Sequence, residues 1–267
     1  MYNGFRNAKI GWWFLLIASI LLLLQRSKRQ RLIVIGHRGA AGLAPENTLA
    51  SLQVAQRLGA TWVEVDVQRT RDQVLVILHD NDLDRTTNGT GKVLEMDSEY
   101  VATLDAGSWY GSKFAGEPIP RLDEVLVFIR EHKLTLCLEA KDPALYPGIG
   151  EQLATAIREH QLVSQVVVIS FDREWLRGFS EFAPDITVGS LWETPHDANS
   201  VPTAQYIDVY WLTALLNPTL IWQAHQDGRK LIVWTVNSPI IAWLLVLLGV
   251  DAITTDRPDL MLPLAGD

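Results

Sequence analysis

Two acids stand two residues apart in the run VEVDV, Glu64 and Asp66. On an extended strand residues i and i+2 share a face, so both carboxylates point one way while Val63, Val65 and Val67 take the other. Two carboxylates shielded from water repel each other and are costly to desolvate. A divalent cation removes that cost. Glu139, in the run LTLCLEAK, offers a third carboxylate. Oxygen donors without a cysteine or histidine ligand pattern suit Mg²⁺ or Ca²⁺ better than zinc. From VEVDV alone, a half-exposed strand with its acids toward water is an equal reading. Glu139 tips the balance toward one divalent cation held by Glu64, Asp66 and Glu139.

Two histidines follow apolar runs: His37 after LIVIG and His79 at the end of VLVILHD. Histidine titrates near neutrality and is the usual general acid or base. A pair beside a metal can take a proton from a nucleophile and give one to a leaving oxygen. Arg38 and Lys141 bring positive charge for an anion, Arg38 with a two-pronged fork. Cation, proton carriers and basic side chains together describe phosphoryl chemistry. Gly36, Gly39 and Gly42 let the backbone turn sharply and approach a ligand. Pro45 and Glu46 suit the first turn of a helix, so Glu46 and Asn47 read as structural. His132 and His160 lie at expected helix ends, His196 in a polar loop and His225 on a helix, all structural or solvated.

The elements that carry these residues alternate. Candidate strands fall at 32–36, 61–67, 74–79, 134–139, 166–170, 187–191, 206–211, 231–236 and 251–255. Helical patterns occupy 46–58, 121–132, 149–160, 173–182, 217–227 and 239–248. Such alternation predicts parallel strands with crossover helices, and Val/Ile/Leu-rich runs fit strands covered on both faces. The fold class is α/β, a (β/α)8 TIM barrel, whose active site sits where the strands end. Nine candidates exceed the eight places, and 187–191 and 206–211 are the weakest. Residues 80–120, rich in Gly, Asp, Asn and Thr, form a short insertion after strand three. Residues 239–248, PIIAWLLVLL, are a helix without a polar residue, either buried against a neighbouring helix or the amino-terminal segment or resting on a membrane.

The 267 residues carry a net charge of −8 and one cysteine, Cys137, which excludes an internal disulfide. Residues 1–31 contain six bases and no acid, leaving 17 bases against 31 acids in the remainder. A domain that acidic excludes nucleic acid as a partner. Residues 10–24, IGWWFLLIASILLLL, have no charge and no cleavage-site pattern after them. They predict one N-terminal hydrophobic helix anchoring the chain to a membrane in a single pass. The flanking bases place the catalytic domain in the cytoplasm. Residues 1–30 are then anchor and basic linker, and residues 31–267 the barrel domain. No protein partner is inferable.

GHRG (36–39), PENT (45–48), EVDV (64–67), HD (79–80), EAK (139–141), SF (170–171), WTVN (234–237) and GVDAITTDRP (249–258) occur in that order. This set resembles the glycerophosphodiester phosphodiesterase family, over residues 32–260. The resemblance implies a TIM barrel that cleaves glycerophosphodiesters to sn-glycerol 3-phosphate and an alcohol with a divalent cation. It assigns catalysis to His37 and His79, metal binding to Glu64, Asp66 and Glu139, and phosphate contacts to Arg38 and Lys141. It also places Phe171 and Trp234 on the pocket wall. The implied route has the glycerol 2-hydroxyl attack phosphorus, giving a cyclic phosphate that water opens. The substrate is a small glycerophosphodiester or, alternatively, a membrane lysophospholipid cleaved as by a lysophospholipase D. A non-catalytic lipid-binding barrel would lack a histidine or an acid of the set, and none is missing.

Overall fold

A computed structural model describes residues 32–192 and 201–266. Its nine strands are β1 (Ile33–Gly36), β2 (Trp62–Arg69), β3 (Leu75–Ile77), β4 (Thr135–Ala140), β5 (Val166–Ser170), β6 (Thr187–Trp192), β7 (Tyr206–Tyr210), β8 (Lys230–Trp234) and β9 (Ala252–Thr255). They form one sheet in the order β1-β9-β8-β7-β6-β5-β4-β2-β3, and β1 also pairs with β2, which closes an eight-stranded parallel barrel. Helices Leu49–Leu58, Leu122–His132, Ile149–Glu159, Arg173–Phe182, Thr219–Gln226 and Pro239–Leu248 cross outside it. The inner layer comprises Ile35, Cys137, Val167, Ile169, Leu191, Tyr206, Ile232 and Ala252. Val63, Val65, Val67, Leu136 and Leu138 face the other way, into the core beneath the helices. Strict alternation along each strand therefore fixes which side chains line the barrel.

The spare strand is not one of the two weakest candidates, since β6 and β7 both belong to the barrel. It is β3, which runs antiparallel to β2 with Val67 opposite Ile77. Together with residues up to 121 it belongs to the insertion, which follows the second barrel strand and has its own core of Val76, Leu78, Leu83, Val93, Val101, Leu104, Ala106 and Ile119. His79 consequently reaches the barrel mouth by antiparallel register rather than as the end of a barrel strand. The Leu78 amide donates to the Asp66 carbonyl at 3.0 Å, which sets His79 beside the acids of β2.

The first crossover helix starts later than PENT suggests. Thr48 is the N-cap, accepting from the Ser51 amide, and the helix proper begins at Leu49. Pro45, Glu46 and Asn47 stay in the loop. Asn47 adopts a left-handed φ of 57°, which frees its side chain to turn into the barrel. The helix 239–248 buries only Ala242 and Leu245, while Ile240 is 74% and Trp243 52% exposed, so its outer face is not covered by the described residues; the amino-terminal segment named as one cover lies outside them.

The expectation of a single-pass membrane anchor, with the membrane as a partner and a cytoplasmic catalytic domain, is corrected. No described helix is long and apolar enough to cross a membrane. The longest described helices have 11 residues, where a span needs about 20. Residues 10–24, on which that expectation rested, lie outside the described residues.

Gly39 carries the turn after β1 with φ 87°, and a Cβ there would lie 2.6 Å from the backbone carbon of Ser51. Gly39→Ala meets both a conformational penalty and a backbone collision. It should cost about 1–3 kcal/mol of stability, read as a lower urea midpoint, because neither the strand nor the helix can yield.

Candidate active site

The parallel register of β2 and β4 sets Asp66 beside Glu139 and Glu64 beside Cys137. Glu64, Asp66 and Glu139 each offer a carboxylate oxygen within 4.8 Å of the others, and all three side chains are buried. Asp66 is held on every side. Its Oδ2 accepts from Asn47 Nδ2 at 2.8 Å, Arg38 Nε lies 3.2 Å from it, and Lys141 Nζ lies 3.8 Å from Oδ1. Glu139 Oε1 accepts from Lys141 Nζ at 2.9 Å. Glu64 Oε2 accepts from the Arg38 amide at 2.8 Å, but its Oε1 is buried without a partner. An orphaned carboxylate oxygen between two further acids is what a divalent cation would satisfy, and an all-oxygen donor set suits a hard ion.

The electrostatics agree. Burial, then the charges of Asp66 and Glu139, push the Glu64 carboxyl well above its ordinary range. Glu139 is pushed up to about 8 by burial and by Asp66, against the pull of Lys141. Burial also opposes ionisation of Asp66, but Arg38, Lys141, His79 and the Asn47 hydrogen bond outweigh it and hold that carboxyl low. The site thus has one firmly charged acid and two acids under strain from their surroundings.

Each histidine is held by an aspartate. His37 Nδ1 lies 2.6 Å from Asp256 Oδ1, and His79 Nδ1 lies 2.5 Å from Asp80 Oδ1. Burial works against charge on Asp256, yet the hydrogen bond from His37 and its positive surroundings hold the carboxyl below its usual range. Hydrogen bonds from Arg85 bring Asp80 down to about 2, with burial opposing and His79 assisting. An ionised carboxylate only accepts, so Nδ1 carries the proton in both rings and Nε2 faces the site as the exchanging nitrogen. Burial, more than the neighbouring charges, keeps the His79 imidazolium from forming as readily as an ordinary one. Asn237 donates to Asp256 Oδ2 at 2.6 Å. Glu46 Oε1 accepts from Arg38 Nη1 and from Arg85 Nη2, both at 2.7 Å, and Arg85 Nε donates to Asp80 at 2.6 Å.

Every residue chosen from the sequence converges here. His37, Arg38, Glu64, His79, Glu139, Lys141, Phe171 and Trp234 line one inner cavity of about 110 Å³. Asp66 lies beneath, in contact with Arg38 and Lys141. An outer pocket of about 670 Å³ opens beside it, lined by His79, Lys141, Phe171 and four aspartates, Asp80, Asp82, Asp142 and Asp172. Phe171 and Tyr210 each meet Trp234 edge to face, with ring centres 5.6 Å apart. Sequence reasoning gave no role to Asp256 or Arg85, noted Asn237 only as a polar residue at a strand end, and treated Glu46 and Asn47 as helix-starting residues only. The dipeptide HD and the acid in ITTDRP were the available signals for Asp80 and Asp256.

A barrel whose mouth joins three carboxylates, two aspartate-held histidines and two cations is that of a phosphoester hydrolase. The profile of the Glycerophosphoryl diester phosphodiesterase family matches residues 37–260, and the chain belongs to that family. It is 37% identical over 239 residues to a glycerophosphodiester phosphodiesterase of Caldanaerobacter subterraneus, covering 88% of this chain and 98% of that one. A glycerophosphodiester phosphodiesterase of Bacillus subtilis is 32% identical over 250 residues, covering 86% of this chain and 85% of the relative. Among solved structures, a glycerophosphodiester phosphodiesterase of Agrobacterium tumefaciens superposes with a TM-score of 0.74 at 32% identity, covering 86% of this chain and 98% of its own. A phosphodiesterase of Oleispira antarctica, in complex with the product sn-glycerol-3-phosphate, gives 0.77 at 30% identity, covering 86% and 95%. The chain is an enzyme, a hydrolase of glycerophosphodiesters. These relatives lend no support to the lysophospholipase D or non-catalytic readings.

The raised Glu139 carboxyl makes a stability prediction. In the metal-free fold it keeps, up to about 8, a proton that the unfolded chain releases near its ordinary 4.5. Where the folded state binds more protons, stability falls as pH rises. In excess chelator, Glu139→Gln should therefore gain melting temperature relative to the parent as pH rises from about 5 to about 8, by about 2 °C or more. A gap that does not change over this window would show that Glu139 is not under strain.

Proposed function

We propose that the protein hydrolyses glycerophosphodiesters to sn-glycerol 3-phosphate and an alcohol, with a divalent cation of the Mg²⁺ or Ca²⁺ type held by Glu64, Asp66 and Glu139. The reading is carried by the orphaned Glu64 Oε1 inside a buried carboxylate triad that lies between two aspartate-held histidines. When bound, the cation would neutralise the triad and draw charge from the phosphoryl oxygens. Arg38 and Lys141 then orient the phosphate from the same side, Arg38 fixed by Glu46 and Lys141 by Glu139. Phe171 and Trp234 wall the pocket.

The geometry supports a division of the proton work. His37 lines the inner cavity only, with Nε2 3.9 Å from Glu64 Oε2, so it faces the glycerol side. His79 also lines the outer pocket, where the departing alcohol has room. His37 Nε2 accepts the proton of the glycerol 2-hydroxyl as its oxygen bonds to phosphorus. His79 enters this step as the imidazolium, Nδ1–H held by Asp80, and donates its Nε2 proton to the leaving alkoxide as that P–O bond breaks. The cyclic phosphate is then opened by water with the two roles exchanged, as microscopic reversibility requires.

Chelation should abolish turnover, and Glu64→Ala, Asp66→Ala and Glu139→Ala should each weaken binding of the metal measured alone by calorimetry. Full activity after stripping bound metal would sink the metal assignment. His37→Ala and His79→Ala should each lower kcat on glycerophosphocholine by about 10²-fold or more. A nitrophenyl ester of glycerol phosphate separates them, because its leaving group needs no proton. His79→Ala should recover most activity on it and His37→Ala should not. Equal recovery by both would overturn the division of roles. Arg38→Lys should also lower kcat/KM, since an ammonium cannot reproduce the fork.

A further inference from the structure

One polar group in the barrel is used by nothing described so far. Asp208 lies on β7 between Tyr206, in the inner core, and Tyr210 at the mouth. Its strand neighbours are Leu191 and Ile232. It is only 3% exposed, and its Oδ1 is buried without a hydrogen-bond partner. It nonetheless lines the inner cavity, together with Cys137, Leu191, Thr254 and the triad acids Glu64 and Glu139. An unpartnered carboxyl oxygen aimed into a cavity is costly unless something enters to bond it. Among the described residues no hydrogen bond reaches that oxygen, and the two cations lining the cavity, Arg38 and Lys141, pair with Glu46, Asp66 and Glu139.

The two ends of the substrate differ in what could fill this place. The phosphate is committed to Arg38, Lys141 and the triad, and the alcohol to the larger outer pocket. What remains is the glycerol end, small, uncharged and carrying a terminal hydroxyl. An inner cavity of about 110 Å³ admits such a group and has no room for an acyl chain. We infer that Asp208 is a specificity-determining residue: the terminal, non-attacking hydroxyl of the glycerol half donates to Asp208 Oδ1 at the inner end of the cavity. The inference rests on the glycerophosphodiesterase reading and sharpens it, because esterifying that hydroxyl removes the donor and adds bulk. Burial, assisted by the charge of Glu139, pushes the Asp208 carboxyl well above the ordinary range. A carboxylic acid can both give and accept a hydrogen bond, which matches a hydroxyl.

The test compares glycerophosphocholine with its analogue lacking only the terminal hydroxyl, 2-hydroxypropyl phosphocholine, the 1-phosphocholine ester of propane-1,2-diol. The attacking hydroxyl, the phosphate and the leaving group are unchanged. The parent enzyme should prefer glycerophosphocholine by about 10²-fold in kcat/KM, the cost of leaving a buried group unpaired. Asp208→Ala should cut the preference to about threefold or less, through loss on glycerophosphocholine alone. Asp208→Asn, which still accepts, should retain much of it. The ratio is internal to each variant, so reduced stability does not move it. An equal loss on both substrates, or a preference intact in Asp208→Ala, would make Asp208 structural and overturn the inference. If the parent enzyme turns over both substrates equally, the inference fails while the phosphodiesterase reading stands. If it turns over neither, both fail.

Discussion

Three carboxylates share a space from which water is largely excluded, and the rest of the mouth is arranged around that constraint. The parallel pairing of β2 and β4 leaves them no freedom to separate, because Asp66 and Glu139 are register partners and Glu64 is one pleat away. Charge must be brought to them. Arg38 arrives from the turn after β1 through its side chain and its amide, and Lys141 from the end of β4. These two cations settle Asp66 but leave Glu64 and Glu139 strained. That residual strain is compatible with a divalent cation more than with a closed salt-bridge cluster.

The outer shell extends the same logic. Glu46 bridges Arg38 and Arg85, and Arg85 in turn grips Asp80, which orients His79. On the other side Asn237 fixes Asp256, which orients His37. The two histidines are thus held from behind by separate elements, the loop after β9 and the insertion. Positioning by elements that do not themselves touch the substrate is how precise geometry is kept at a mouth made of loops. The insertion that presents His79 has a core of its own and is tied to the barrel helices through Ile77 and Glu117.

The site also has a direction. The inner cavity is small and walled by barrel side chains; the outer pocket is larger and rich in aspartate. Phe171 lines both spaces, and Phe171, Trp234 and Tyr210 form an aromatic wall held by edge-to-face contacts.

The sequence alone determined the barrel, the clustered acids and the two histidines at its mouth. Alternating apolar runs and helical patterns specify parallel strands, because strands covered on both faces must be apolar throughout. The i, i+2 spacing of Glu64 and Asp66 puts both on one face whatever the fold. His37, Arg38, His79, Glu139 and Lys141 were legible because polar groups at the ends of such runs stand out locally. What only the tertiary structure decided was pairing across the chain. Asp256 meets His37 across 219 positions, which no local pattern encodes. Asn47 and Glu46 read as helix starters because proline and an acid suit a first turn, but Thr48 takes the cap and frees them for Asp66 and Arg38. The odd strand could not be found by hydrophobicity, since β3 is as apolar as its neighbours and differs only in direction, which register sets. Asp208 sat in a run that composition marks as a weak strand. Only closure of the barrel turned its face inward and left its carboxyl facing the cavity.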